Sequence, residues 1–454
     1  MERLRRYAEV LRETRRKLEE KSKEKRENVL EELVLREWKR KAEITEVKPP
    51  ELAPPPPTTP STVEKIERTP WATLIWSRSG ELATLRVKFD EKELERVIDK
   101  GTFHIFTPLV ESPDVLEVFI CHGSVYVSTR DARWRVVFEF KGEKDIESII
   151  TKGLFALATR SYAFPSLESP VAIGELENRR IIMKMSARGV WECSIVKIGY
   201  LPKLREVADP LLTARLMTLA LGRGSTVIFG PPGSGKTTFL NILLNELVQL
   251  YPVLRITVIE PTAELVLPRG YNISHSVASK TTIRDLLGYA IQYERPDLLV
   301  LGELSVDDIE RWIRAKLGMS TLTTIHGRSL RSLLRTMTDG MRRCFGSTIS
   351  SEDVLNYLDN LIQCYKYVEP YGGIQRGIEA VYRIVGSSIQ PIYDGTYHLK
   401  EDEFLEILPE TSIVAKSCEE VYELMKERYC VKNQYSEKMR KLQPISLDDL
   451  GLRV

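Results

Sequence analysis

From about residue 206 onward, short apolar runs alternate with stretches of helical periodicity. STVIFG leads into a helix over 236–250, LRITVIE into one over 282–293, DLLVLGE into one over 306–317, and STLTTIH closes the series. That rhythm predicts a parallel sheet with helices on its faces, an α/β domain. Between about 68 and 200 the pattern is different. Val125-Tyr126-Val127, the run Trp134 to Phe140 and the run Arg180 to Met185 read as short strands bounded by turn residues. A helix over 144–159 interrupts them, with apolar residues at 146, 149, 150, 154 and 157. This stretch predicts a smaller α+β domain. Upstream, 1–44 is dense in Arg, Lys and Glu, with Leu4, Leu11 and Leu18 seven residues apart. It reads as an exposed helix, a short coiled-coil arm or a solvated disordered arm. KPPELAPPPPTTPST (48–62) cannot continue a helix and favours an extended linker. The expected organisation is an arm over 1–47, a linker over 48–67, an α+β domain over 68–202 and an α/β domain over 203–454. No internal repeat is evident.

Composition adds limits. A chain of 454 residues with 43% apolar residues can build two or three domains with real cores. Lys plus Arg (66) nearly cancels Asp plus Glu (64), so a net charge of +2 gives no reason to expect a dedicated nucleic-acid binder. No stretch approaches the roughly 18 apolar residues of a membrane span. The start, MERLRRYAEV, is charged rather than signal-like, which predicts a cytoplasmic chain. The six cysteines are scattered without a C-x-x-C pair, so buried thiols are expected rather than zinc or disulfides.

The strongest chemical signal is Gly230-Pro-Pro-Gly233-Ser234-Gly235-Lys236-Thr237-Thr238, a full G-x-x-x-x-G-K-T match between a buried-strand run and a helix start. Such a loop turns its N–H groups toward phosphate oxygens at the positive end of the helix. Lys236 is expected at the β- and γ-phosphates of ATP, and the Thr237 hydroxyl on Mg²⁺.

Three further segments surround this loop in the sequence. Arg295-Pro-Asp-Leu-Leu-Val-Leu-Gly-Glu303 is a strand ending in a carboxylate, expected beside the loop, where it can hold Mg²⁺ or its water. Ile259-Glu260-Pro-Thr-Ala-Glu264 places two carboxylates at a strand exit, where one of them can deprotonate the attacking water and Glu260 can stand near the metal. Leu322-Thr-Thr-Ile-His326 puts a histidine at another strand end.

These motifs, in this order, resemble the secretion ATPase superfamily, which includes type II and type IV secretion, type IV pilus and archaellum motors. The likeness covers roughly 206–400, with a weaker one in TPLVESPDVLEVFICHGSVYV and ENRRI. It implies a RecA-like ATPase domain and a homo-hexameric ring, docked on a polytopic membrane platform protein at the inner face of the cell membrane. Carried over by position, Gly230, Gly233, Ser234, Gly235, Lys236, Thr237 and Thr238 bind the triphosphate. Glu303 acts through the metal-bound water, Glu264 is the catalytic base and His326 senses the γ-phosphate. Arg180 is the arginine of the upstream domain, with Arg179 next to it. The departures are Pro261, Ser305 and Tyr293 in place of an aspartate and two arginines. The alternatives are a DNA-translocating P-loop ATPase and a low-turnover nucleotide-binding assembly protein.

Overall fold

Trp76 and Trp134 meet edge to face, ring centroids 5.0 Å apart, inside the first of two large sheets. The computed structural model describes residues 62–452, apart from 80–81, 122, 141–144, 167, 186–189, 198–200, 279–280, 370–372 and 431–437. The charged arm and most of the proline linker lie outside the described residues.

The first sheet is built from β1 (Thr62–Arg68), β2 (Thr73–Ser79), β3 (Leu82–Phe89), β4 (Glu117–Cys121), β5 (Ser124–Ser128), β6 (Arg133–Phe140), β7 (Val171–Leu176), β8 (Arg179–Met185) and β9 (Trp191–Lys197). Its order is β1-β2-β3-β6-β5-β4-β9-β8-β7, antiparallel except where β3 meets β6. Alternate residues point to one face, so Leu74, Leu85, Val87, Val127 and Ile195 form a core. The helix Ile146–Ser161 covers it with Ile150, Leu154, Leu157 and Ala158. Asp145 starts that helix by accepting from the Glu147 N–H.

One boundary departs from expectation. β1 occupies residues read from sequence as linker. Nearly every β1 position is exposed, because it is an edge strand held to β2 by backbone pairing, so no apolar alternation announces it.

The second sheet contains β10 (Ser225–Gly230), β11 (Ile256–Glu260), β12 (Ile273–Val277), β13 (Leu298–Leu301), β14 (Ser320–His326), β15 (Asn360–Val368), β16 (Ile374–Val385), β17 (Ser388–Tyr393), β18 (His398–Leu399) and β19 (Met439–Arg440). The order is β12-β11-β13-β14-β10-β15-β16-β17-β18-β19. β12 through β15 in that order are mutually parallel, and β15-β16-β17-β18 continue antiparallel, so the expected parallel sheet carries an antiparallel extension. Both faces are covered. Ile228, Val258, Val300 and Leu322 pack with the helices Pro210–Leu221, Lys236–Leu250 and Cys418–Tyr429. Val227, Phe229, Leu299, Leu301 and Ile325 pack on the opposite face with the helices Ile309–Lys316 and Leu330–Phe345. Being buried on both faces explains why β10, β11 and β13 read as continuous apolar runs.

β14 stands between β10 and β13, so the strand leading to Glu303 is one strand removed from the phosphate-loop strand. Two of the threonines on this central strand bond sideways to the chain end of β13. Thr323 Oγ1 donates to the Leu301 carbonyl at 2.9 Å, and Thr324 Oγ1 to the Gly302 carbonyl at 2.7 Å. The expected helices over 282–293 and 306–317 also differ slightly. The first ends in a π turn over Ala290–Glu294, and the second opens with a 3₁₀ turn over Val306–Asp308.

Candidate active site

The loop after β10 turns through Gly233 (φ 71°) and Gly235 (φ 89°), left-handed positions that residues with a Cβ reach only under strain. Gly235 is also the cap of the helix Lys236–Leu250 and offers no side chain to its first N–H groups. Those donors stay available to an anion, with the helix dipole behind them. The Ser234 hydroxyl is buried in the same loop.

Lys236 is buried to 6% exposure. Its Nζ donates to the Pro231 carbonyl at 3.2 Å and lies 3.2 Å from His326 Nδ1. Burial pulls its pKa below the ordinary lysine range, while Glu303 and Glu264 act in the opposite direction. The second imidazole nitrogen, His326 Nε2, lies 2.9 Å from Glu303 Oε1. A protonated lysine can only donate, so with Lys236 charged Nδ1 accepts and Nε2 carries the N–H that faces the carboxylate. Lys236, His326 and Glu303 therefore form one chain across β10, β14 and the end of β13.

Glu260 and Glu264 separate into two environments. Glu260 is 1% exposed, and its Oε1 accepts from the N–H groups of Glu264 and Leu265, each at 2.9 Å. Its Oε2 lies 2.8 Å from His275 Nε2 on β12. Both Glu260 oxygens are engaged within the protein, so Glu260 organises the loop that carries Glu264. His275 was not picked out from the sequence. Its partner comes from pairing of β11 with β12, which local patterning does not reveal.

Glu264 keeps a largely accessible carboxylate. Arg180 Nη1 donates to Glu264 Oε1 at 2.7 Å, and Arg180 Nη2 donates to the Ala263 carbonyl. Arg180 belongs to the upstream domain, so this contact joins the two domains within one chain. Arg179 turns away and donates to the Val110 carbonyl at 3.0 Å. A cavity of about 1010 Å³ opens between the domains, bounded by Gly233 through Thr238, Glu264, Glu303 and His326 on one side and by Arg78, Glu117 and Arg130 on the other. The positions that depart from the family pattern are occupied without charge. Tyr293 is exposed beside Tyr289, and the Ser305 hydroxyl is bonded to Asp308.

Among the described residues no group of three or more His, Cys, Asp or Glu could hold a metal by itself. The Thr237 hydroxyl and Glu303 carboxylate, as oxygen donors at the mouth of an anion-binding loop, nonetheless fit Mg²⁺, which keeps its waters and takes phosphate oxygens as ligands.

A phosphate-binding loop, a central strand inserted before the carboxylate-bearing one and a carboxylate loop on the next strand define a P-loop nucleotide-binding domain of the RecA-like kind. The family model for type II/IV secretion system protein matches residues 155–430, and the chain belongs to that family. It is similar to the conjugal transfer protein TrbB of Rhizobium radiobacter, 29% identical over 140 residues that make up 28% of this chain and 42% of the relative. It is also similar to VirB11 of Agrobacterium fabrum, 32% identical over 124 residues, 26% of this chain and 35% of the relative. The chain thus spans less than half the length of these curated relatives. Among solved structures, the ATPase DotB of Legionella pneumophila aligns over 75% of this chain and 88% of its own, at 15% identity and a TM-score of 0.42. The strand order given above defines the fold.

Proposed function

We propose that this chain is an ATP-hydrolysing motor subunit that works as a homo-hexamer on a polytopic membrane protein, powering secretion or the assembly of a pilus-like filament. The observation that carries this reading is the convergence of Lys236, His326, Glu303 and Glu264 on one interdomain cavity behind a complete phosphate loop.

In this reading the loop N–H groups and Lys236 bind the β- and γ-phosphates, and Thr237 and, through water, Glu303 hold Mg²⁺, which when bound neutralises charge on the phosphates. His326 now fills the place beside Lys236 that an incoming γ-phosphate takes. On its arrival His326 is released from Lys236 and reports the change to Glu303. Glu264 accepts the proton of the attacking water once Arg180 has turned from the carboxylate to the phosphate charge. Because Arg180 rides on the upstream domain, that turn moves one domain against the other, which is how hydrolysis becomes motion.

Among the described residues no helix is long and apolar enough to cross a membrane. The proposed place of work is the cytoplasmic face of the membrane, through the platform protein. A DNA-translocating role has less support, since it would call for a basic stripe and the overall charge balance is near neutral. Steady-state ATPase activity of the purified chain with and without Mg²⁺ tests the proposal. Lys236→Ala should lose about 10²–10³ in rate. Equal activity in parent and variant would mean that the loop does not serve hydrolysis.

A further inference from the structure

A second lysine stands against the phosphate loop. Lys366 lies toward the C-terminal end of β15, which runs parallel to β10 with Phe229 opposite Gln363, so it emerges beside the loop that follows β10. The approach is close. A Cβ placed on Gly233 would meet Lys366 Nζ at 2.9 Å and its Cδ and Cε at 3.8 Å. Directly opposite Lys366 across the antiparallel pair is Arg376 on β16, which lines the same cavity as the loop.

Two cations facing each other across a strand pair repel. Arg133 of the upstream domain adds a third positive charge to this neighbourhood. Burial first, and then Arg376 and Arg133, push the Lys366 pKa below the ordinary lysine range, with Glu117 acting in the opposite direction. Among the described residues, none of Lys366, Arg376 and Arg133 makes an ion pair within 4.0 Å. Such a group is held together at a cost unless an anion joins it.

The sheet order says which part of an anion would come here. β10 lies between β14 and β15. On the β14 side, Lys236 reaches His326 and, through it, Glu303. Lys366 stands on the other flank. We propose that Lys366, with Arg376 beside it, binds the part of the nucleotide's phosphate chain that is retained after hydrolysis, on the side of the loop away from Glu303. This assignment rests on the nucleotide reading of the phosphate loop and extends it to a strand that carries no motif.

Isothermal titration of the full chain with ADP and with a non-hydrolysable ATP analogue tests it. Lys366→Ala should raise the Kd of both ligands in parallel, by about tenfold, as expected for the loss of one charge-assisted contact. Lys366→Arg should restore most of the affinity, and Arg376→Ala should weaken both ligands in the same sense. The nucleotide-free Tm of Lys366→Ala should equal or exceed the parent's, because a repulsion has been removed. An unchanged ADP affinity, a loss confined to the ATP analogue, or a lowered nucleotide-free Tm would each overturn the assignment while leaving the loop's role intact. A parent chain that binds neither ligand would overturn both the assignment and the functional reading beneath it.

Discussion

Lys236 Nζ and His326 Nδ1 lie 3.2 Å apart, a lysine and an imidazole joined across the junction of β10 and β14. His326 serves Lys236 as an acceptor, alongside the Pro231 carbonyl, in a site where burial disfavours the lysine's charge. On its other side the imidazole holds Glu303. In the proposed mechanism an incoming γ-phosphate replaces the contact between His326 and Lys236.

Replacing His326 should separate binding from turnover. His326→Ala leaves Lys236 free for phosphate and removes the link to Glu303. ATP binding is expected to be kept or tightened, with hydrolysis reduced about 10²-fold, the scale of a lost positioned proton or hydrogen-bond partner. Nucleotide titration beside steady-state turnover checks this, and parental turnover in the variant would remove His326 from the mechanism.

The contact between Arg180 and Glu264 lies within one chain, which predicts how a mixture of two inactive variants behaves. If Arg180 serves its own subunit's site, every subunit in a mixture of Arg180→Ala and Lys236→Ala still lacks one of the two groups. Activity should then stay at the level of the separate variants. Recovery on mixing would show that Arg180 acts across a subunit boundary. Glu264→Gln alone should retain nucleotide binding and lose most turnover.

Glu260 should behave as a structural carboxylate. Glu260→Gln weakens two backbone hydrogen bonds and the His275 contact in a buried site, at a cost of about 2–3 kcal/mol to the second domain. Denaturant midpoints measure that loss. Activity should fall because Glu264 is no longer held in place, while the Mg²⁺ concentration for half-maximal rate stays as in the parent. A raised Mg²⁺ requirement would return Glu260 to the metal.

His104 sets an acid limit on the upstream domain. It is 6% exposed, and burial first, then the charges of Arg160 and Lys152, hold its pKa down at about 4 against the ordinary 6.5. The unfolded chain therefore binds a proton between pH 6.5 and about 4 that the folded chain refuses. Stability is full above pH 6.5 and falls as the pH drops through that window, by on the order of 3 kcal/mol in all. Thermal melts of the parent and His104→Asn, an exchange suited to the left-handed backbone there, should converge toward pH 4 as the parent loses stability. Parallel curves across the window would show that His104 does not set the limit.

Local chemistry was legible from the chain alone. The loop from Gly230 to Thr238 needs a strand before it, glycines within it and a helix after it, all within consecutive residues. The apolar runs that became β10, β11 and β13 are continuous because both faces of their sheet are covered, and that too is written locally. The tertiary structure alone decided the order of those strands and therefore which side chains meet. It placed β14 between the phosphate-loop strand and the one ending at Glu303, so that His326 rather than Glu303 stands next to Lys236. It also divided Glu260 from Glu264, by bringing His275 to one and Arg180 to the other. Lys366 became part of the phosphate loop's surroundings only because β15 pairs with β10 from 134 residues further along the chain. Pairings at such separations are fixed by burial summed over the whole domain, and no short window of sequence contains that sum.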